Sequence, residues 1–279
     1  MEKRLIIDWI SITSHKTYDY VGSASHPCIN NFDDWEITTG KNGYNEGVKH
    51  KTGVSTYRNL KRMDMGKHTI YSGKALQNIL LKYLVKPDDI LSWHAGRGDN
   101  FARVDIAIDF IASDLTVQNF VDAYEKNEHV TTLKSASEIR TISGEGHTLY
   151  IGSTRKRKKL MRIYDKRSET KTIIPWIRAE IQIMGKPATR LVNMMIAGSS
   201  IESVMLGAIA DVCDFPTIPL WSDAMKDKSN ISIGASNDKL SNTREWLDKV
   251  VFNSILNEGI NDKAWFDEYI TSLLVEIKR

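Results

Sequence analysis

Ala102-Arg103-Val104-Asp105-Ile106-Ala107-Ile108-Asp109-Phe110 is the stretch from which the fold is read. Successive side chains of a strand point to opposite faces, so Val104, Ile106, Ile108 and Phe110 line one side and Asp105, Ala107 and Asp109 the other. The apolar side calls for a covering layer. The acidic side needs a reason of its own, because Asp is depleted in strands and two like charges on one face repel.

Working outward, the hydrophobic period switches between two and three-to-four. Leu5 to Thr13 reads as an isoleucine-rich strand, and His68-Thr69-Ile70-Tyr71 as another that ends at Ser72-Gly73. Leu76, Ile79, Leu80, Tyr83 and Leu84 then share a helical face, with Pro87 as the stop. Ser113-Asp114 is expected to cap a helix carrying Val117, Phe120, Val121 and Tyr124. Leu149-Tyr150-Ile151, Leu160 to Lys166 and Trp176 to Ile183 give three more strands; helices are predicted after Pro187, over Ile201 to Ala210 and over Arg244 to Leu256. The expected fold class is α+β: an antiparallel-rich sheet built from βαβ-like units with helices packed on one face, plus a small C-terminal helical unit. Lys226 to Asn242, rich in Ser, Asn, Asp and Lys, reads as a linker, which divides the chain into a domain at 1–225 and a C-terminal portion at 226–279.

Composition narrows the class. The 279 residues are 41% hydrophobic and 26% charged, with a formal charge of only +3, so a nucleic-acid surface has to come from local clustering. Arg155-Arg157 with Lys156, Lys158 and Lys159 is the densest basic run and the expected DNA-contacting loop. Cys28 and Cys213, far apart and outside any Cys/His spacing, indicate neither a disulfide framework nor a zinc site. No run approaches the ~18 apolar residues of a membrane span, and the N-terminal apolar run is broken by Asp8. A cytoplasmic protein with no membrane partner is expected.

The basic run leads into Arg162-Ile163-Tyr164-Asp165-Lys166, where alternation puts Arg162, Tyr164 and Lys166 on one face. A phenol has an unperturbed pKa of about 10, so a nucleophilic tyrosine needs positive charge or a metal beside it. Ile177-Arg178-Ala179-Glu180-Ile181-Gln182-Ile183 similarly presents Arg178, Glu180 and Gln182 together. If these strands are neighbours, Asp105, Asp109 and Glu180 can serve as oxygen ligands for Mg²⁺ or Mn²⁺, with Tyr164, Arg162, Lys166 and Arg178 as catalytic groups on a phosphodiester. The same residues can instead close cross-strand ion pairs on a solvated face.

Five blocks in order resemble the signature of the Rep_trans family: Ile7-Asp8-Trp9-Ile10-Ser11-Ile12-Thr13, Tyr71-Ser72-Gly73-Lys74-Ala75-Leu76, Arg103 to Asp109, Leu149 to Ser153 with Arg162 to Lys166, and Ile177 to Glu180. The family comprises rolling-circle replication initiators of small plasmids, with relatives among phage initiators and relaxases. The resemblance implies that Tyr164 is the nicking tyrosine, that carboxylates serve a Mg²⁺ or Mn²⁺ site, and that the protein acts as a homodimer on origin DNA, at a single-stranded or cruciform nick site. A host helicase and DNA polymerase would be its partners. One departure is that no His-hydrophobe-His metal motif occurs, which leaves metal binding to carboxylates. Asp8 shares its nominal strand face with Ile6, Ile10 and Ile12 and is read as structural. Two alternatives stay open: a relaxase that nicks a transfer origin of a mobile element, and a non-catalytic DNA- or RNA-binding module.

Overall fold

In the computed structural model the described residues are 2–16, 24–140, 146–153, 158–198 and 200–233, together with Lys263 and Asp267. In chain order the elements are β1 (Glu2–Ser14), β2 (Trp35–Thr39), β3 (Glu46–His50), β4 (Ser55–Arg58), β5 (Lys67–Ser72), α1 (Gly73–Tyr83), α2 (Pro87–Gly96), β6 (Asn100–Ile111), α3 (Val117–Glu125), β7 (Val130–Thr131) and β8 (Ala136–Arg140). They continue with β9 (His147–Ile151), β10 (Lys159–Asp165), α4 (Arg167–Thr170), β11 (Trp176–Met184), α5 (Lys186–Ala197), α6 (Ile201–Val212), β12 (Cys213–Asp214) and α7 (Pro219–Ala224). Ten strands form one sheet in the order β2-β3-β4-β5-β1-β6-β11-β10-β9-β8, and every adjacent pair among them is antiparallel.

The α+β class and the βαβ-like units are both present. β5 and β6 each pair antiparallel with β1, so they run parallel to one another and are joined by a crossover through α1 and α2. Val104, Ile106, Ile108 and Phe110 of β6 lie in a core with Ile10 and Ile12 of β1, Ile163 of β10 and Ile181 of β11. That core is covered by Leu76 and Ile79 of α1, Phe120 of α3, Leu191 of α5 and Ile209 of α6. Fully burying side chains of this size contributes about 1.5–3 kcal/mol each, which makes this apolar layer the main source of stability.

The structure departs from the sequence reading at Pro87, in the buried face of α1 and at the cap of α3. Pro87 opens a helix rather than only ending one: it lies in the first turn of α2, where its missing N–H costs nothing, and Ile90, Leu91 and His94 are buried below it. Between the two helices Leu84 takes a left-handed cap (φ 57°) and is 82% exposed, so the buried side of α1 is Ala75, Leu76 and Ile79 rather than the wider face expected. The cap of α3 is Thr116, whose hydroxyl accepts from the N–H of Asn119, three residues beyond Ser113. The predicted helix at Arg244 to Leu256 lies outside the described residues. The chain separates into compact units Met1–Ile233 and Gly234–Arg279. Residues 226–233 therefore sit with the larger unit: Ser229 N–H donates to Ser203 C=O at 2.9 Å, and Ile233 is fully buried. No helix among the described residues is long and apolar enough to cross a membrane.

β1 is irregular where it matters. Ile7 pairs with Ile106 but Trp9 pairs with Asp105, so β1 carries one extra residue, Asp8, against β6. This is a β-bulge, which bends the strand and changes the direction of the side chains after it. A second irregularity between Ser11 and Ile12 places the extra residue, Ala102, on β6.

Candidate active site

The register of β6, β11 and β10 assembles a polar cluster on the side of the sheet away from the helices. Across β10 and β11, Arg162 faces Glu180 and Tyr164 faces Arg178; across β11 and β6, Arg178 faces Asp109, Glu180 faces Ala107 and Gln182 faces Asp105. Ala107, opposite Glu180, supplies only a methyl group, so the longer side chains on either side can close over it. Asp105, Asp109, Arg178, Glu180 and Gln182 are all buried.

Each predicted carboxylate is engaged by a guanidinium. Arg178 donates through Nε and Nη2 to the two oxygens of Asp109, at 2.6 and 2.8 Å, and through Nη1 to Asp8 Oδ1 at 2.9 Å. Arg103 donates through Nε to Asp105 at 2.8 Å. Arg162 closes on Glu180 Oε1 and lies 3.9 Å from Asp105. The acidic residues of β6 are therefore ion-paired, Asp109 across the sheet with Arg178 of β11 and Asp105 along its own strand with Arg103. Among the described residues, no three of His, Cys, Asp and Glu converge on a point as a metal cage, so Asp105, Asp109 and Glu180 are not brought together as one ligand set. Asp8 is a further carboxylate on this face. The bulge turns Asp8 to the polar side, where its charge acts on both Glu180 and Tyr164. Two carboxylates on one polar face could hold Mg²⁺ or Mn²⁺, which takes few protein ligands and completes its shell from other oxygens.

Tyr164 is half-buried, and its hydroxyl donates to Glu180 Oε2 at 3.0 Å. Burial, then the neighbouring Glu180 charge, push the phenol pKa well above its ordinary value, against the opposing pull of Arg178. The expectation that the flanking cations would ease its ionisation is thus reversed in the resting site. Arg162 is taken by Glu180, and Lys166 reaches Glu169 at 2.9 Å while its Nζ stays 5.8 Å from the Tyr164 ring centre. Lys166 itself lies just past β10, as the cap of α4. Burial also raises the carboxyl of Asp8, and it pushes Asp105 up to about 6 despite Arg103. For Arg178, burial works against the charged form, yet the hydrogen bonds and charge of Asp109 outweigh it and raise the guanidinium pKa.

Of the predicted basic loop, Arg155, Lys156 and Arg157 lie outside the described residues. Lys158 is exposed, but Lys159 is not a free surface cation, since it pairs with Asp211 at 2.8 Å and is largely buried. The residue that strict alternation missed is Asp8. Its sequence signal is the phase slip in Ile6-Ile7-Asp8-Trp9-Ile10, where the core isoleucines Ile7 and Ile10 stand three apart instead of two. Gly73 is tied to it, because a Cβ there would lie 2.8 Å from Asp8 Oδ1.

A family model described as a replication initiation factor, Rep_trans, matches residues 99–271. Among solved structures, the rolling circle replication initiator protein from Geobacillus stearothermophilus superposes with a TM-score of 0.67 at 20% identity, over 84% of this chain and 99% of that one. It shares the fold. No curated protein matches. With a large antiparallel sheet in common with an initiator and the family match spanning β6, β10, β11 and the helices that follow, the chain belongs to the Rep_trans family of replication initiation factors.

Proposed function

We propose that this protein initiates rolling-circle replication by nicking and resealing origin DNA through a covalent 5′-phosphotyrosine at Tyr164. The observation that carries the reading is the hydrogen bond from the Tyr164 phenol to Glu180, on a polar sheet face that also holds Arg162, Arg178 and Asp8. A phenol with a raised pKa does not attack as a resident phenolate, so a base has to accept its proton during attack, and Glu180 is in place to do so. The Tyr164 oxygen forms a bond to phosphorus and the bond to the 3′-oxygen breaks. The phenol proton passes to Glu180, and the departing 3′-oxygen takes a proton from water. As Glu180 takes the proton it loses the charge that holds Arg162, and Arg162, together with an N–H of Arg178 turned from Asp8, then holds the charge that accumulates on the phosphoryl oxygens, generally the largest catalytic contribution. Attack by a 3′-OH on the phosphotyrosine reverses the step and seals the strand. The exchange conserves the phosphodiester, so no nucleotide triphosphate is consumed; a separate helicase opens the duplex, and the free 3′-OH primes a host polymerase. A Mg²⁺ or Mn²⁺ ion held by Asp8 and Glu180 would polarise the scissile phosphate. Homodimer formation on the origin is part of the same proposal.

Incubating the protein with Mg²⁺ and a pool of single-stranded oligonucleotides tests it. A covalent adduct is expected, with peptide mapping to Tyr164. Tyr164→Phe is expected to abolish it while DNA affinity and fold persist, since only one oxygen is removed. Glu180→Gln is expected to slow nicking by roughly 10²–10⁴ with little change in affinity, the usual contribution of a positioned base. An adduct of normal yield in Tyr164→Phe refutes the assignment. A transfer-origin relaxase performs the same first step, and a replication assay on a plasmid carrying the origin separates the two.

A further inference from the structure

The segment Tyr71-Ser72-Gly73-Lys74 takes no part in the reaction described above, yet the fold brings it to the site. β5 pairs with β1 from Ser14 back to Trp9 and ends there at Ser72, so α1 begins beside Asp8. The approach is close: a Cβ on Gly73 would lie 2.8 Å from Asp8 Oδ1 and 3.0 Å from the Asp8 carbonyl oxygen. Asp8 Oδ1 accepts from Arg178 Nη1 at 2.9 Å, and Arg178 stands opposite Tyr164 in the register of β10 and β11. The start of α1 is thus joined to the tyrosine through space, by contacts between β5, β1, β11 and β10, and not along the chain.

Lys74 is the second residue of α1, its Cα about 3.8 Å beyond that of Gly73. Helical side chains tilt toward the helix N-terminus, so a residue in the first turn covers the space ahead of the helix, here on the side of Asp8. The buried side of α1 is Ala75, Leu76 and Ile79, which leaves Lys74 exposed, and it makes no ion pair among the described residues. The other cations around Tyr164 are all engaged: Arg178 by Asp109 and Asp8, Arg162 by Glu180, and Lys166 by Glu169. The Asp8 side chain is 31% exposed, so the site is open to solvent on this side. We propose that Lys74 is a further catalytic residue, its ammonium contacting a non-bridging oxygen of the scissile phosphate and stabilising the charge that builds there as Tyr164 attacks. The inference rests on the nicking reading above and adds to it a cation that has no ion pair to break. A flexible four-carbon stem with rotatable donors suits an ammonium to that role.

The test uses the full-length chain and the adduct-forming oligonucleotide recovered from the single-stranded pool. Single-turnover rates of adduct formation are read at saturating protein, and affinities by anisotropy in the Tyr164→Phe background. Lys74→Gln is expected to slow adduct formation by roughly 10²–10³, the usual loss for one charge-stabilising donor, while affinity changes by less than about threefold. Lys74→Arg should restore most of the rate. Lys74→Gln with Gln77→Lys keeps the net charge but moves the ammonium about 4.5 Å along the helix, and it should stay slow. Lys74 and Gln77 are both exposed, so the variants are expected to fold, and urea midpoints check this. A Lys74→Gln rate within about threefold of wild type would overturn the proposal. So would a loss confined to affinity, which marks a contact made equally before and during attack, or a rescue by Gln77→Lys, which makes the effect one of bulk charge. Wild type that forms no adduct would overturn the nicking reading and this role with it; a normal adduct rate in Lys74→Gln would overturn the Lys74 role alone.

Discussion

Replacing Arg178 by Met strands two carboxylates at once, and the cost follows from the geometry. The guanidinium and the Asp109 carboxylate make two hydrogen bonds of 2.6 and 2.8 Å, and their side chains are 4% and 0% exposed. With charge centres about 4 Å apart and an effective dielectric near 20, their attraction is about 4 kcal/mol. Removing one partner of such a buried pair typically costs about 3–5 kcal/mol, because the other charge is left uncompensated. The third N–H, donated to Asp8, adds little to that, since the Asp8 side chain is 31% exposed and water can replace the bond. Arg178→Met is therefore expected to lower unfolding free energy by about 3–5 kcal/mol. Arg178→Met combined with Asp109→Leu should recover most of the loss, as apolar replacement of a whole buried pair is often neutral. Urea titrations followed by tryptophan fluorescence and by circular dichroism measure it, coincident transitions licensing the free energies. A single-variant loss below about 1 kcal/mol, or a double variant no more stable than the single, would refute the argument that the pair is a desolvated unit.

EDTA is expected to stop adduct formation while oligonucleotide binding continues; full activity in EDTA would remove the Asp8 and Glu180 metal assignment. The carboxyl of Asp105, near 6 when folded against about 3.9 unfolded, binds more protons in the native state between those values, so its contribution to stability falls as pH rises from about 4 to about 6. Asp105→Asn should flatten that part of the stability profile, and thermal unfolding across the window would show an unchanged slope if the shift is absent. Lys158→Ala is expected to reduce the slope of log affinity against log salt by about 0.7 on single-stranded DNA, whereas Lys159→Ala should alter the slope little and lower stability through loss of its Asp211 pair. Equal slopes for the two variants would contradict that division.

The inner strands were legible because they bury one face against helices: the alternation of Val104, Ile106, Ile108 and Phe110, and of Ile177, Ala179, Ile181 and Ile183, survives intact in the structure. β2, β3 and β4 were not read, since their burial is partial and irregular and Ile37 on the outermost strand is 93% exposed. Their available signal was Asn42-Gly43, both left-handed at φ 55° and 86°, the favoured dipeptide for a tight reversal between paired strands. At the site, alternation correctly grouped Arg162 with Tyr164 and Arg178 with Glu180, but it gave no pairing partners. Whether Asp109 meets a cation or another carboxylate depends on which residue stands opposite it, and that register is set by long-range contacts. Buried networks such as His94, whose Nδ1 lies 2.8 Å from Asp99 and whose Nε2 lies 2.9 Å from the Tyr71 hydroxyl, tie α2 to β5 and to the turn ahead of β6 and leave no local trace in the sequence.

The extra residue in β1 makes that strand two half-strands of opposite phase spliced at Asp8. Deleting Asp8 would join the halves into one regular ladder and remove the carboxylate together. Inserting a residue elsewhere in β1 would invert the inward and outward side chains on one side of the splice. The position therefore tolerates substitution more readily than any change of length, so length variation among related chains should fall in the loops around β1 and spare the strand itself.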